Sequence, residues 1–358
     1  MGADKLPFSV KKERWKNAGQ KCFLCMDMKV VGIVTSGGDA PGMNAAIRAF
    51  TRMSNRLEMD VFGVYHGFFG LINDEIIRLD TRKVGDILHR GGTFLKTARC
   101  PEFKTEAGQA KAVANLKRYG MEGLAVIGGD GSFRGALALQ NWGIKVVGIP
   151  GTIDNDIPCT DFTIGFDTAV NTVVEAVNKI RDTATSHERT FVVEVMGRNC
   201  GDLALCSGLA GGAEVILIPE VEPDYEEVCR RVQKSHDQEK SRAVVIVAEG
   251  VGGDPDNRNL YDSSAFRVAN YIKEKTKIDT RVTILGHIQR GGSPTVNDRL
   301  LASRLGAEAA KALYDNDTGK MVATQEGKIL RVDLEYALSH KKTVKKEYLE
   351  LASMLASV

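Results

Sequence analysis

Three carboxylates stand where a carboxylate can do chemistry. Asp130 lies in the stretch 124–132 (LAVIGGDGS), an apolar β-like run that breaks into a glycine-rich turn. Such a turn exposes backbone N–H groups to an incoming anion, and a helix expected from Phe133 to Trp142 adds the positive end of its dipole. Asp130 would repel a bare phosphate. A magnesium ion between the two removes the conflict, because magnesium takes oxygen ligands, usually one or two carboxylates plus phosphate oxygens. The turn therefore reads as a magnesium–polyphosphate site. Asp154 and Asp156 lie two residues apart in 151–156 (GTIDND), beside Thr152. Such a pair can point one side chain into a cleft and the other toward metal or backbone. A carboxylate there can take a proton from a hydroxyl nucleophile in phosphoryl transfer. A capped Asx turn before Pro158 explains the spacing equally well.

Basic residues that suit anion clamping stand in similar turns. Arg198 and Arg290 each sit among glycines, whereas Arg189 follows the end of a helical stretch. Arginine presents a planar fork to phosphate oxygens. One arginine in a turn is usually a solvated charge; several on converging strand ends are not so readily dismissed.

The elements that must position these groups repeat one pattern: apolar run, glycine turn, amphipathic helix. Apolar runs at 29–35, 124–127, 145–150, 191–196, 243–248 and 282–285 each end at one of the polar clusters. Short Val/Ile runs without alternation, separated by helices, indicate parallel strands buried on both faces. Helices are expected at 43–52, 111–119 and 168–186, and at two further places. One is capped by Asp262 or Ser263 and runs to Lys275; the other is capped by Asn297 or Asp298 and runs to Tyr314. The fold class is α/β, with two doubly wound sheets. In such sheets ligands bind at the carboxyl ends of the strands. That rule gathers Asp130, Asp154, Asp156, Arg198, Glu249, His287 and Arg290 around one or two clefts.

Composition sets the class. The chain has 358 residues, 43% apolar and 26% charged, which suits a globular protein of two domains. A formal net charge of +2 shows no bulk bias toward nucleic acid or membrane, so an anion site must be local. No run of about 18 apolar residues offers a membrane span. The first 27 residues are mixed and charged, without a secretory apolar region, and a cytoplasmic location is expected. Seven scattered cysteines fit reduced thiols, and the Cys22–Cys25 pair lacks the second ligand pair that structural zinc requires. The segment 251–262 reads as a surface loop.

No G-x-x-x-x-G-K-[ST] occurs, which excludes a P-loop enzyme, and GGDAPG lacks the dinucleotide-binding spacing. A GGDG turn alone would also suit lipid and NAD kinases. The ordered set GGDAPGMNAAIR (37–48), RGGTF (90–94), IGGDGS (127–132), PGTIDND (150–156), EVMGR (194–198) and GHIQRGGSP (286–294) is more specific. It closely resembles the ATP-dependent 6-phosphofructokinase family from about Met28 to the C-terminus. The lipid and NAD kinases lack the fourth and sixth elements.

The resemblance implies two doubly wound three-layer α/β/α domains with mainly parallel sheets. A large ATP domain would take 28–164 plus 288–337, a small fructose 6-phosphate domain 165–287 plus 338–358, and residues 1–27 would form an extension. It implies transfer of the ATP γ-phosphoryl group to the 1-hydroxyl of fructose 6-phosphate. Asp154 would be the base, Asp156 a second carboxylate near the reacting groups, and Asp130 the magnesium ligand. Gly38, Gly129, Gly131 and Ser132 would cradle the ATP phosphates. Arg99 would reach those phosphates, with Cys100 where an aromatic commonly follows. Thr152 and Arg198 would stabilise the transferring group. Sugar-phosphate binding would fall to Thr152, Ile153, Asp154, Met196, Gly197, Arg198, Glu249, His287 and Arg290. In a homotetramer, Arg189 and Arg281 would reach across subunits.

Pyrophosphate-using relatives tend to carry Asp at position 131 and Lys at 151. Gly131 and Gly151 oppose that donor, and intact Asp130, Asp154 and Arg198 oppose a catalytically silent relative. Arg48, Arg52, Arg181, Glu214 and Lys240 match the family's allosteric nucleotide site between subunits. Thr81 and Gln238 replace basic residues there, with Arg82 and Arg242 close enough in sequence to substitute. Weakened regulation by ADP or phosphoenolpyruvate is expected.

Overall fold

The computed structural model describes residues 30–240, 242–253 and 263–355, the side chains of 239 and 240 excepted. Cys22, Cys25, the expected extension and most of the 251–262 loop lie outside the described residues. Strands are β1 (Val30–Thr35), β2 (Asp60–Val64), β3 (Ile76–Leu79), β4 (Gly123–Gly128), β5 (Lys145–Pro150) and β6 (Thr190–Val195). They continue as β7 (Val215–Leu217), β8 (Ala243–Ala248), β9 (Thr280–Ile284), β10 (Lys320–Gln325) and β11 (Lys328–Asp333). Helices are α1 (Met43–Arg56), α2 (Gly67–Ile72), α3 (Glu106–Arg118), α4 (Asp130–Asn141), α5 (Phe166–His187) and α6 (Asp202–Gly211). The rest are α7 (Tyr225–Ser235), α8 (Ser264–Thr276), α9 (Val296–Tyr314), α10 (Leu334–Ser339) and α11 (Lys346–Leu355).

Two sheets result. One has seven strands in the order β11-β10-β5-β4-β1-β2-β3, and the other four in the order β7-β8-β6-β9. The smaller sheet is parallel throughout; in the larger one only the edge strands β3 and β11 pair antiparallel. The central strands are buried on both faces, and their side chains divide by alternation. In β4, Ala125 and Ile127 enter a core shared with α1, α5, α9 and the smaller sheet. Leu124 and Val126 enter a second core with residues of α2, α3 and α4.

Each sheet changes winding direction once, between β1 and β4 and between β6 and β9. Ligands of open α/β sheets bind at such points, outside the carboxyl ends. The four strand exits there carry GGDAPG, GGDGS, MGR and GHIQRGG.

Several helix starts differ from expectation: α3 begins at Glu106, not at Lys111, and α5 at Phe166, not at Thr168. Helix α4 begins at Asp130, not at Phe133, so GGDGS is a direct strand-to-helix junction. It can be this tight because a Cβ at Gly128 would lie 2.5 Å from both Ser132 Oγ and the Ser36 carbonyl oxygen. Only glycine allows that approach. Helix α9 is capped by Thr295, whose hydroxyl accepts from the Asp298 amide at 3.2 Å. Asp298 instead points inward and caps α5, accepting from Gly165 N and Thr168 N at 2.8 Å each and from Thr168 Oγ1 at 2.5 Å. Ser263 caps α8 as one of the two expected residues. The five described cysteines are free, and no helix among the described residues is long and apolar enough to cross a membrane.

The buried carboxylate of Asp298 joins α9 to the start of α5, and nothing else in place would satisfy those two amides. Asp298→Ala is expected to destabilise the fold by about 3 kcal/mol, the cost of stranding buried donors that faced a charge. Urea midpoints measure it; a loss below about 1 kcal/mol would mean water replaces the carboxylate.

Candidate active site

The loop after β5 is built by alternation. Gly151, Ile153, Asn155 and Ile157 are buried, while Thr152, Asp154 and Asp156 are half-buried between them. Gly151 continues the strand by a parallel bridge to Ile164. A Cβ there would lie 3.0 Å from Ile127 Cγ2 and 3.2 Å from Met43 Cε, so glycine fits and a long side chain would displace core atoms. The two carboxylates lie close enough that the charge of Asp156 acts on Asp154.

The turn itself is made by other groups. Thr152 Oγ1 accepts from the Asp154 amide at 3.2 Å. Asn155, at a left-handed φ of 52°, donates from Nδ2 to Asp202 Oδ2 at 2.9 Å and to the Asp161 carbonyl at 3.3 Å. Its Oδ1 accepts from the Thr163 amide at 3.0 Å. The Asx-turn reading fails for the two aspartates: Asp154 Oδ1 and Asp156 Oδ1 are buried with no hydrogen-bond partner among the described residues. A buried acceptor left without a donor costs free energy, and such atoms cluster where a ligand supplies the missing partner.

Burial is the main reason that Asp154 is pushed up to about 6, and the Asp156 and Glu249 carboxylates push the same way. Arg290 and Arg198 oppose them. Asp156 is also raised, by burial first, with Asp130 adding to it and Lys342 and Arg290 opposing. The loops of both switch points therefore meet at one pair of acids.

Packing explains how they meet. Arg290 Nη1 donates to the Asp39 carbonyl at 3.2 Å, and a Cβ at Gly38 would stand 2.5 Å from the same nitrogen. Gln289, fully buried, accepts from the Met196 amide at 3.2 Å and donates to the Gly286 carbonyl at 2.9 Å. It fixes the exit of β6 against the turn that holds His287 and Arg290. Gly250 runs under Arg198, where a Cβ would lie 2.0 Å from the Arg198 carbonyl oxygen. Glu249 beside it donates its amide to the Val195 carbonyl at 2.8 Å. Gly197 takes a φ of 128° that side chains rarely adopt. Arg198 and His287 are exposed at this rim, and Met196 is buried beneath it. Ile153 is fully buried, so only its main chain can face a substrate.

At the other exit, a Cβ at Gly129 would stand 4.0 Å from Thr152 Cβ, placing the α4 junction against the TID loop. A Cβ at Gly131 meets nothing within 4 Å. Ser132 is buried, its hydroxyl wedged between Gly128 and Gly37, so the junction offers anions its backbone and not this side chain. Asp130 is half-exposed at the first position of α4, with Arg134 Nε at 3.2 Å. No three side chains of metal-binding type gather among the described residues. Magnesium fits such a place in its usual manner, on one carboxylate with phosphates completing the shell. Arg99 is exposed, and Cys100 is half-buried against the second core.

Two expected groups stand elsewhere. Arg189 precedes β6 and Arg281 lies near the start of β9, whereas the cleft is at the carboxyl ends. Seven residues separate Arg189 from Met196, about 20 Å of extended chain. Both arginines converge on Asp279 Oδ2, at 2.7 and 3.1 Å. Both therefore stand at the end of the sheet opposite the cleft of their own chain. The expected effector residues divide similarly. Arg181 donates to the Gly212 carbonyl at 2.7 Å, and Glu214 accepts from the Val244 amide at 2.7 Å. Arg242 stands just before β8, with a buried Nη1 that has no hydrogen-bond partner among the described residues. Arg48 and Arg52 lie apart on α1, where burial and then the Arg52 charge disfavour the charged form of Arg48, and the Lys240 side chain is outside the described residues.

The Asn155, Gln289 and Lys342 contributions were not visible in the motifs, because each acts through a contact remote in sequence.

A family model described as phosphofructokinase matches residues 30–313. The ATP-dependent 6-phosphofructokinase of Bacillus licheniformis is 54% identical over 329 residues, 92% of this chain and all of that protein. A solved phosphofructokinase from Saccharomyces cerevisiae is 36% identical with a TM-score of 0.81, covering 91% of this chain and 46% of the yeast chain. A pyrophosphate-dependent phosphofructokinase from Marinobacter aquaeolei shares the fold, with a TM-score of 0.79 at 19% identity over 92% of each chain.

The raised Asp154 has a consequence for stability. Its folded value of about 6 exceeds the ordinary 3.8, so the folded protein holds this proton longer than the unfolded chain does. The charged form opposes folding; that penalty is absent below pH 4, grows to about pH 6 and is complete above. Asp154→Asn removes it. The variant is expected to be about 2 kcal/mol more stable than the parent at pH 8 and equal to it below pH 4, by denaturant midpoints at both pH values. A variant less stable at pH 8 would contradict the desolvation account.

Proposed function

The chain belongs to the phosphofructokinase family, and we propose that Asp154 is the base of its phosphoryl transfer from ATP to the 1-hydroxyl of fructose 6-phosphate. The reaction is the ATP-dependent glycolytic one, yielding fructose 1,6-bisphosphate and ADP. One observation carries the assignment of the base: a buried carboxylate oxygen without a hydrogen-bond partner among the described residues, at the meeting point of both switch-point loops. Above pH 6 that oxygen is ionised and can take the hydroxyl proton as the oxygen–phosphorus bond forms. A base poised near the working pH transfers protons efficiently.

The remaining roles follow from position. The α4 junction directs backbone amides of Gly129 and Gly131, and the start of its dipole, toward ATP phosphates, with Gly38, Arg99 and Cys100 bordering them. Asp130 would hold magnesium, which when bound neutralises charge on the phosphates. Thr152 and Arg198 stabilise the group in transit, and Met196, Gly197, Glu249, His287 and Arg290 receive the sugar phosphate. Positioning and charge neutralisation supply most of the catalysis in such reactions. Open space at Gly131 leaves room for the nucleotide's α-phosphate, which supports ATP as donor. The two sheets support a division into 28–164 plus 288–337 and 165–287 plus 338–358, since α11 packs on α6. We infer a cytoplasmic homotetramer in which Arg189 and Arg281 serve a neighbouring cleft. An effector site at the amino ends of β7 and β8 has lost two expected cations, so ADP and phosphoenolpyruvate regulate it weakly.

Asp154→Asn keeps the shape and loses the base. A fall in kcat of about 10²–10⁴-fold is expected, with little change in the KM for fructose 6-phosphate. In the parent, kcat/KM should rise with pH through about 6, and that limb should vanish in the variant. Normal turnover in a folded variant removes Asp154 from the mechanism. Crossing of the arginines is checked by co-refolding Asp154→Asn with Arg281→Ala. Hybrids should regain activity, since some clefts receive both intact parts; verified hybrids without activity would place both residues in one subunit's site.

A further inference from the structure

Lys342 lies in the segment joining α10 to α11, on the side of the catalytic loop toward which Asn155 points. It is beyond the region matched by the family model. Its Nζ donates to the main-chain carbonyls of Thr160 at 3.0 Å and Asp161 at 3.2 Å. The Asp161 carbonyl also accepts from Asn155 Nδ2, so the ammonium and the loop amide share one acceptor. Burial pushes the lysine toward its neutral form, and Asp202, Cys200, Asp156 and Asp161 oppose that. A buried ammonium persists only where acceptors and opposite charge offset the loss of water. An apolar residue would fill the same volume without that cost. What lysine adds is a pair of directed bonds to a turn some 180 residues earlier.

We propose that Lys342 is a positioning residue for phosphoryl transfer. By clamping the Thr160 and Asp161 carbonyls, it fixes the turn on which Asn155 is anchored, and thereby the aim of Asp154 and Asp156. Asp202 at the start of α6 accepts from the same amide nitrogen, so the anchor is drawn from the C-terminal segment and from α6 together. The effect on rate comes through geometry, because displacing a reacting group by about 1 Å can cost 10²-fold. The proposal rests on the reading of Asp154 as base.

Lys342→Met in the full chain tests it. The side chain keeps its length and loses donors and charge. The expected result is a kcat lowered at least tenfold, with KM for ATP and for fructose 6-phosphate within about threefold of the parent and a melting transition well above the assay temperature. A kcat within twofold of the parent, or a fall matched by the fraction unfolded, overturns it. Should the single variant not fold, Asp202→Asn with Lys342→Met removes both buried charges while leaving a carbonyl oxygen for Asn155. This double variant should fold and still show the lowered kcat; a normal kcat in it overturns the proposal. Activity in Asp154→Asn would sink the reading of the base, whereas an inactive Asp154→Asn beside a fully active Lys342→Met sinks only this inference.

Discussion

The amide of Asn155 is satisfied entirely on the side away from the cleft. It accepts from Thr163, donates to Asp161 and donates to Asp202 on α6. With that side chain held, its neighbours in the sequence face the other way, and two carboxylates enter one cleft together. The left-handed backbone at this residue suits asparagine better than most non-glycine residues. A loop that reversed this arrangement would bury two acids in the core and expose an amide. The surrounding packing of Ile153 and Ile157 makes that alternative untenable.

Charge placement then follows from where the strands end. Asp154 and Asp156 lose water because they are buried where loops of the two sheets meet, and the cations that partly compensate come from loops of the second switch point and, for Asp156, from Lys342. Compensation is incomplete, and one oxygen of each acid lacks a donor among the described residues. This leaves a site that is strained electrostatically and made whole by what it binds. Phosphoryl transfer uses such a site well, because preorganised charge need not be rearranged as the reaction proceeds.

Much of this was legible in the sequence, and the parts that were not share a cause. Unalternating Val/Ile runs located the central strands of both sheets, since burial on both faces demands them. Glycine clusters located the exits, because close backbone approach at Gly128 and Gly250 excludes a Cβ. Local rules failed where a distant group intervened. Asp298 resembles a helix cap in its own sequence but caps α5, 130 residues earlier. Asn155, Gln289 and Lys342 bond to partners 47, 93 and 182 residues away. No periodicity or motif records such separations. Tertiary structure alone decides whether these side chains are surface polar groups or anchors of a site.

Strand β6 states the remaining constraint. Its carboxyl end delivers Met196, Gly197 and Arg198 to the cleft, and Arg189 stands at its amino end beside Arg281 and Asp279. A rigid strand of this length keeps its two ends about 20 Å apart, so no motion within the chain unites them. Asp279 neutralises the two guanidinium groups only in part, and one carboxylate oxygen is shared between them. A phosphate from outside would be a stronger partner for both, since arginine binds phosphate through paired hydrogen bonds. In the homotetramer proposed above, an isologous contact between two copies would supply such a phosphate, because each copy offers a cleft at one end of β6 and a cation pair at the other. Catalysis and assembly would then depend on the same strand, with its length setting the distance over which one subunit reaches its neighbour.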